Sequence, residues 1–226
     1  MPYYAPYTQG NDALMLWLNL DPDYRTTSGT ATDWKNFMKP SEIFGNTNSA
    51  RHPTDNGTHL TFDGGDFLTC NVDRDLVPSG GGWTVYTRYK EDDWSDNSVF
   101  AADDDSNNSF IKNVGDAVSI KTYDGSSHST KGIAFDTPTD LVDDTYYNLA
   151  VTCTSGGTLK CYIDGVLQAA SSTLASTAHA NVMAEVGGKN GAGWMLNGSI
   201  QELLVWHNDL SAQQITDINK YLNNKF

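Results

Sequence analysis

The sequence is poor in basic residues, and this shortage excludes two classes of partner. Its 226 residues include 14 Lys and Arg against 28 Asp and Glu, which gives a formal net charge of −14. A nucleic-acid site needs a basic surface that displaces counterions from phosphates, and none is visible. Anionic membrane surfaces repel such a chain, and no apolar run approaches the length of a membrane span. We therefore expect neither nucleic-acid binding nor membrane insertion.

Glutamate is also scarce, which argues against glycoside hydrolysis. Only Glu42, Glu91, Glu185 and Glu202 occur, and no two of them are close in sequence. Glycosidases usually place two carboxylates at a set separation across the scissile bond. No strand-borne pair of Asp replaces them, and the five His are scattered, with His207 expected to be solvated at a strand end. We expect no catalytic residues and no enzyme.

Cysteine is limited to Cys70, Cys153 and Cys161, without metal-site spacing. Alternation on both sides of the Ser155–Gly157 turn pairs Cys153 with Leu159, so that Cys161 lies diagonal to Cys153, too far for an easy disulfide. We expect buried free thiols. The opening residues have neither the basic start nor the apolar stretch of a signal peptide. Both features predict synthesis in a reducing cytoplasm.

Short apolar segments separated by Gly, Asp, Asn and Ser clusters dominate the rest of the chain. Their length and spacing predict an all-β, two-sheet antiparallel jelly-roll sandwich. The predicted strands are residues 14–20, 59–62, 67–71, 83–90, 98–102, 109–113, 117–123, 147–154, 158–164, 182–186 and 198–207. Residues 21–58 read as polar and turn-rich, with Trp34, Phe37 and Phe44 as anchors.

One short helix is predicted at residues 211–223. Ser211 and Gln214 form a capping box, and Leu210 and Ile215 are placed for a hydrophobic staple. The apolar face of Ile215, Ile218 and Leu222 must dock on the sandwich, since so short a helix is not stable alone.

The chain divides into an N-terminal arm at residues 1–12 and a domain at residues 13–226. Tyr3, Tyr4 and Tyr7 lie between Pro and Ala in a segment without periodicity. We expect these rings to contact a neighbouring subunit, since Tyr suits interfaces. The alternative is a frayed terminus.

Three stretches resemble the concanavalin A-like lectin/glucanase superfamily, in particular its laminin-G-like and pentraxin-like domains. These are residues 59–68 (HLTFDGGDFL), residues 147–153 (YNLAVTC) followed by 159–165 (LKCYIDG), and residues 186–188 (VGG) followed by 196–206 (LNGSIQELLVW). The glycines of these motifs suit turns and close backbone approaches, at Gly187, Gly188 and Gly198. The ending ITDINKYLNNK is similar to laminin-G-like domains in structural proteins of marine tailed phages. The resemblance implies the jelly-roll fold.

The resemblance also implies that calcium is to be looked for at the sandwich rim. The segment at which pentraxin-like domains carry acidic ligands has Lys189 and no carboxylate here, which argues against that type of site. The remaining oxygen-rich turns contain Asp63 with Asp66, and Asp103, Asp104 and Asp105. Solvated loops are the alternative for these carboxylates.

A sugar site needs an aromatic platform beside amides or carboxylates. Trp194, in a Gly-rich segment beside Asn190 and Asn197, is the candidate. The alternative is an aromatic ring that closes one end of the sandwich.

Together these features predict a non-enzymatic virion structural protein, a capsid decoration (cement) or tail-associated protein. Its expected partners are virion proteins, copies of itself and a surface glycan. It is expected to be made in the host cytoplasm and located in the virion. The second hypothesis is a calcium-assisted carbohydrate-binding lectin or adhesin, and the third a glycoside hydrolase.

Overall fold

The computed structural model describes residues 13–24, 33–72, 75–77, 81–92, 98–101, 110–113, 117–123, 128–135, 141–174, 181–182, 185–188 and 194–226. The predicted arm at residues 1–12 lies outside the described residues, and with it the interface prediction for Tyr3, Tyr4 and Tyr7.

The described residues form eighteen strands and one α-helix. The helix, α1, is Ala212–Lys225, and short 3₁₀ turns occur at Pro22–Tyr24 and Ser49–Arg51. In chain order the strands are β1 Leu14–Leu18, β2 Asp33–Lys35, β3 Ile43–Gly45, β4 Thr54–Asp55, β5 Leu60–Asp63, β6 Leu68–Cys70, β7 Asp75–Val77, β8 Trp83–Glu91, β9 Ser98–Ala101, β10 Phe110–Asn113, β11 Ala117–Tyr123, β12 His128–Ala134, β13 Tyr147–Cys153, β14 Thr158–Ile163, β15 Val166–Thr173, β16 Asn181–Val182, β17 Glu185–Val186 and β18 Asn197–Trp206.

The strands build two large antiparallel sheets, which confirms the predicted jelly-roll sandwich. The first sheet has the order β15-β14-β13-β8-β18-β5-β4, and the second β12-β11-β10-β9-β17-β6-β3-β2. The long strand β18 pairs with β8 on one side and with both β5 and β1 on the other. Strands β7 and β16 form a separate two-stranded sheet. Strand β18 is covered on both faces, since every residue after Asn197 in it is buried.

The main core contains inward side chains from both sheets. In the first sheet the alternation of β8 and β13 sends Val85, Tyr89, Leu149 and Val151 inward. The second sheet contributes Trp34, Phe44, Ile111, Val118, Ile120 and Ile133. Period-two alternation places these side chains on the face that the two sheets share.

Helix α1 covers part of the outer face of the first sheet, as predicted. Ser211 caps it, and Ser211 and Gln214 form both bonds of the capping box. Ile215, Ile218 and Leu222 are buried in a second cluster with Leu204 and Trp206 of β18. Leu203 and Val205 point into the main core instead. Both faces of β18 are apolar because one face packs in the main core and the other packs under α1.

The sequence-based prediction omitted six strands that the structure contains. They are β2, β3 and β4 within residues 21–58, and β7, β12 and β15. Strands β2, β3, β4 and β7 have two or three residues, too few for a visible alternation. Strand β12 has the polar sequence HSTKGIA and forms because all seven residues pair with β11. Such strands form because a neighbouring strand supplies backbone hydrogen-bond partners, and the local sequence pattern does not show that neighbour.

All three cysteines are buried free thiols, as predicted. Cys153 pairs with Leu159 and Cys161 with Val151, so the two cysteines are not opposite each other. Burial raises the pKa of Cys153 to about 12, with a smaller contribution from the charge of Asp209. Burial also raises the pKa of Cys161.

We expect the thiols to be unreactive in the native protein, because they are protonated and enclosed. Alkylation without reductant should label none under native conditions and three per chain in denaturant, as counted by mass spectrometry. The double substitution of Cys153→Ser and Cys161→Ser should break no covalent link. Protected thiols with a mass two units lower would contradict this prediction.

Candidate functional site

One end of the sandwich brings together two groups of residues that the sequence suggested separately. Asp63 ends β5 and Asn197 begins β18, and these two residues are register partners. A Cβ placed on Gly64 would lie 3.8 Å from Cβ of Asn197. A proposed metal ligand and a proposed sugar ligand are therefore neighbours. We call Asp63, Asp66, Trp194 and Asn197 the rim site.

Two side chains of the rim site present polar groups to solvent. One carboxylate oxygen of Asp63 accepts the Gly65 N–H at 2.9 Å, and the side chain is exposed. The side-chain amide of Asn197 is exposed and has no hydrogen-bond partner within the described ranges. Trp194, three residues earlier, is half-buried. Asn190 lies outside the described residues.

Asp66 differs from Asp63 because it is buried, with 5% of its surface exposed. Its carboxylate accepts the Asp63 N–H at 3.2 Å. Burial raises the pKa of Asp66 to about 6, and the negative charge of Asp63 adds to this, while the hydrogen bond from the Asp63 backbone and the nearby His52 oppose it. The Asp66 carboxyl therefore ionises closer to neutral pH than an ordinary Asp side chain does.

The raised pKa of Asp66 predicts a pH-dependent gain from Asp66→Asn. The folded state favours the protonated acid, so ionisation of Asp66 destabilises the fold. This loss of stability grows as pH rises from about 4 to about 6 and is complete at higher pH. An amide accepts the same hydrogen bond and carries no charge. Asp66→Asn should therefore raise Tm more at pH 7.5 than at pH 4. Asp143→Asn, at an exposed turn, is the control. An equal effect of Asp66→Asn at both pH values would contradict the assignment.

The rim site does not by itself fit a calcium ion. Within the residues that the structure describes, no group of three or more His, Cys, Asp or Glu side chains is placed to hold a metal. Calcium takes six to eight oxygen ligands, and Asp63 and Asp66 supply one exposed and one buried carboxylate. Asp103, Asp104 and Asp105 lie outside the described residues, so their role as calcium ligands stays a prediction.

All four glutamates are buried, which the sequence did not indicate. Their exposed fractions are 2% for Glu42, 0% for Glu91, 1% for Glu185 and 0% for Glu202. Glu42 accepts a hydrogen bond from Asn36 and forms an ion pair with Lys39. Glu202 is paired with Lys225 of α1. Burial raises the pKa of Glu202, and the charge of Lys225 opposes that rise.

A bulge in β18 explains the position of Glu202. The register with β8 shifts between Ile200 and Glu202. Ile200 and Leu203 both lie in the main core. Gln201 and Glu202 therefore both occupy the outer face, where Gln201 bonds to Arg88 and Glu202 pairs with Lys225. The extra residue of a bulge changes which face a side chain occupies.

Sequence reasoning missed a second polar surface, on the outer face of the first sheet beside α1. Arg88 and Lys90 project from β8 next to the ring of Tyr146, with their charged groups 5.7 and 6.0 Å from its centroid. Phe226 and Asn223 border it from the end of the helix. We call Arg88, Lys90, Tyr146, Asn223 and Phe226 the outer-face platform. The alternation of β8 placed Arg88 and Lys90 on one face, but their neighbours depend on distant strands.

The fold and the polar rim define a lectin-like sandwich, and the comparison with known families agrees. The model of the concanavalin A-like lectin/glucanases superfamily matches residues 62–216. The chain therefore belongs to this superfamily. No curated protein matches the sequence.

Solved structures with the same fold come from proteins with different activities. A sialidase of Trypanosoma rangeli, in complex with a difluorinated sugar acid, is similar with a TM-score of 0.62 and 13% identity, over 96% of this chain and 34% of that one. The binding domain of botulinum neurotoxin DC, in complex with rat synaptotagmin II, gives a TM-score of 0.60 at 13% identity, over 94% and 52%. A botulinum neurotoxin type C structure, described as dependent on two ganglioside molecules for cell entry, gives 0.57 at 15%, over 95% and 52%. This chain spans about a third to a half of these proteins, and identities this low show the fold alone.

No helix in the described part of the chain is long and apolar enough to cross a membrane.

Proposed function

We propose that this chain is a non-enzymatic module that binds a glycan at the rim site. The observation that carries the proposal is the pairing of Asp63 with Asn197 at one end of the sandwich. An exposed carboxylate and an exposed amide side by side supply acceptors and donors for sugar hydroxyls. Trp194 is close in sequence and supplies an aromatic face. Two structural neighbours, one in complex with a sugar acid and one that depends on gangliosides for cell entry, support this class of ligand.

The position of the glutamates supports a binding role over hydrolysis. A glycosidase needs two carboxyl groups that face the substrate about 5–9.5 Å apart. Each Glu is enclosed, and Glu202 is neutralised by Lys225. The exposed Asp63 has as its nearest partner the buried Asp66, which already accepts the Asp63 N–H.

A glycan array with purified protein tests the proposal, with Asp63→Asn and Asn197→Ala as rim variants. Asp143→Asn is the matched control, because it removes one exposed carboxylate from another turn. We expect at least a tenfold loss of glycan binding in the rim variants and none in the control. Running the array with calcium and with chelator tests the calcium-assisted form of the hypothesis. Equal binding by wild type and rim variants, or hydrolysis of the bound glycan, would overturn the proposal.

For the biological setting we propose a virion, where the module would be a capsid decoration or tail-associated protein. Three buried free thiols suit a protein that folds in a reducing host cytoplasm. The resemblance of the ending ITDINKYLNNK to laminin-G-like domains in structural proteins of marine tailed phages also supports this proposal. Its partners would be virion proteins and copies of itself, contacted through Tyr3, Tyr4 and Tyr7.

Deletion of residues 2–10 tests the virion assignment. We expect an unchanged melting curve of the domain and weaker self-association or attachment to particles. Sedimentation and particle pull-down at equal protein concentration measure both. Equal assembly by the two forms would leave the arm without a role and remove one support for the virion assignment.

A further inference from the structure

We propose that the outer-face platform is a second binding site, which takes the carboxylate of a singly charged acidic sugar on Arg88. The proposal rests on the glycan-binding function above and extends it to a different surface and ligand charge.

Arg88 is a half-buried cation whose direct partners are all neutral. Its Nε donates to Gln201 at 2.7 Å, and one Nη donates to Asn148 at 3.3 Å and Asn223 at 3.2 Å. Within the described residues no carboxylate lies within 4.0 Å of the guanidinium, and its second Nη has no acceptor. Burial lowers the pKa of Arg88, although the group stays protonated. The more distant charges of Asp164 and Glu202 oppose this lowering. A partly desolvated cation with no directly bonded counter-ion favours an anionic ligand.

Neither of the carboxylates that act on Arg88 through their charge, Asp164 and Glu202, contacts the guanidinium directly. Glu202 is paired with Lys225, and Asp164 accepts the backbone N–H of Asn148 at 2.9 Å. Lys90 is neutralised by Asp144, at 2.5 Å, and by Asp92, at 3.8 Å. Arg88 is therefore the group of the platform that is left to bind an anion.

The rings and amide around Arg88 suit a sugar. The guanidinium carbon lies 5.7 Å from the Tyr146 ring and 5.9 Å from the Phe226 ring. Phe226 is 41% exposed, so it offers a face for the apolar side of a pyranose. The oxygen of the Asn223 side chain accepts from Arg88 and Asn148, which leaves its N–H groups to bind a hydroxyl.

The net charge of the protein limits how many negative charges the ligand can carry. With a net charge of −14, the chain repels polyanions at long range. One guanidinium, without a surrounding basic stripe, can compensate one carboxylate. A monocarboxylated sugar thus fits better than a sulfated polymer.

Binding of methyl glucuronide and of methyl glucoside tests the proposal, because the two probes differ only in the carboxylate. Isothermal titration and NMR shift mapping on the full chain measure affinity and location. We expect methyl glucuronide to bind at least tenfold more tightly, with shifts at Arg88, Tyr146 and Asn223. Arg88→Lys keeps the charge but loses the planar fork, and should weaken glucuronide binding about tenfold.

Two further variants show whether a loss of binding in Arg88→Lys comes from a lost ligand contact or from a folding defect. Phe226→Ala removes an exposed ring and should weaken both probes at the platform, while Lys220→Gln, on an exposed part of α1, should change neither. Equal binding of the two probes, or equal effects of Arg88→Lys and Lys220→Gln, would overturn the inference. The rim variants separate the two proposals. If Asn197→Ala abolishes binding on the glycan array while glucuronide gains nothing over glucoside, only the second site fails.

Discussion

Removal of α1 by truncation after Leu210 is expected to give a chain that aggregates or melts far below the intact protein. Ile215, Ile218 and Leu222 are 0%, 1% and 0% exposed. Burial of three aliphatic side chains contributes about 5–9 kcal/mol, comparable with the whole stability of about 5–15 kcal/mol of a typical domain. Truncation also uncovers Leu204 and Trp206 on the outer face of β18.

Two point variants make the test quantitative. Ile218→Ala should lower the free energy of unfolding by about 2–5 kcal/mol, as other buried Ile or Leu truncations do. Lys220→Gln changes an exposed position on the same helix and should stay within about 0.5 kcal/mol. Urea unfolding followed by tryptophan fluorescence measures both. A truncated protein with an unchanged melting temperature would show that the helix does not stabilise the sandwich.

Gly187→Ala is expected to be strongly destabilising. Gly187 has φ of 81°, and a Cβ at this position would overlap the Phe62 ring of β5. Left-handed backbone costs an L-residue about 1–2 kcal/mol, and overpacking adds about 1–3 kcal/mol or more. We expect a loss of several kcal/mol or an insoluble product.

Gly57→Ala separates the two contributions. Gly57 has nearly the same φ, 82°, but a Cβ there would meet nothing within 4 Å. It should therefore show only the backbone cost of about 1–2 kcal/mol. Equal losses in the two variants, measured by urea unfolding, would show that the Phe62 contact is unimportant. The positive φ of Gly187 confirms the expected bend, and the expected close backbone approach occurs at Gly198, where a Cβ would overlap the backbone carbonyl of Lys90.

The sequence alone determined the features whose physical cause is local. Short apolar segments bounded by turn residues predicted most of the longer strands, including β11 from Ala117 to Tyr123 with its observed bounds. Capping chemistry at Ser211 predicted where α1 begins. Alternation with a period of two predicted the pairing of Cys153 with Leu159 and hence the free thiols. In each case the residues that decide the structure lie within about ten positions of one another.

Tertiary structure decided which distant residues share a surface. Asp63 and Asn197 were separate candidates until the pairing of β5 with β18 made them neighbours. The bulge at Gln201 interrupts the alternation, so the outward position of Glu202 did not follow from its strand. Arg88 depends on amides from β13, β18 and α1, three elements far apart in sequence. Register and bulges arise from packing across the whole sandwich, and a local pattern contains no information about them.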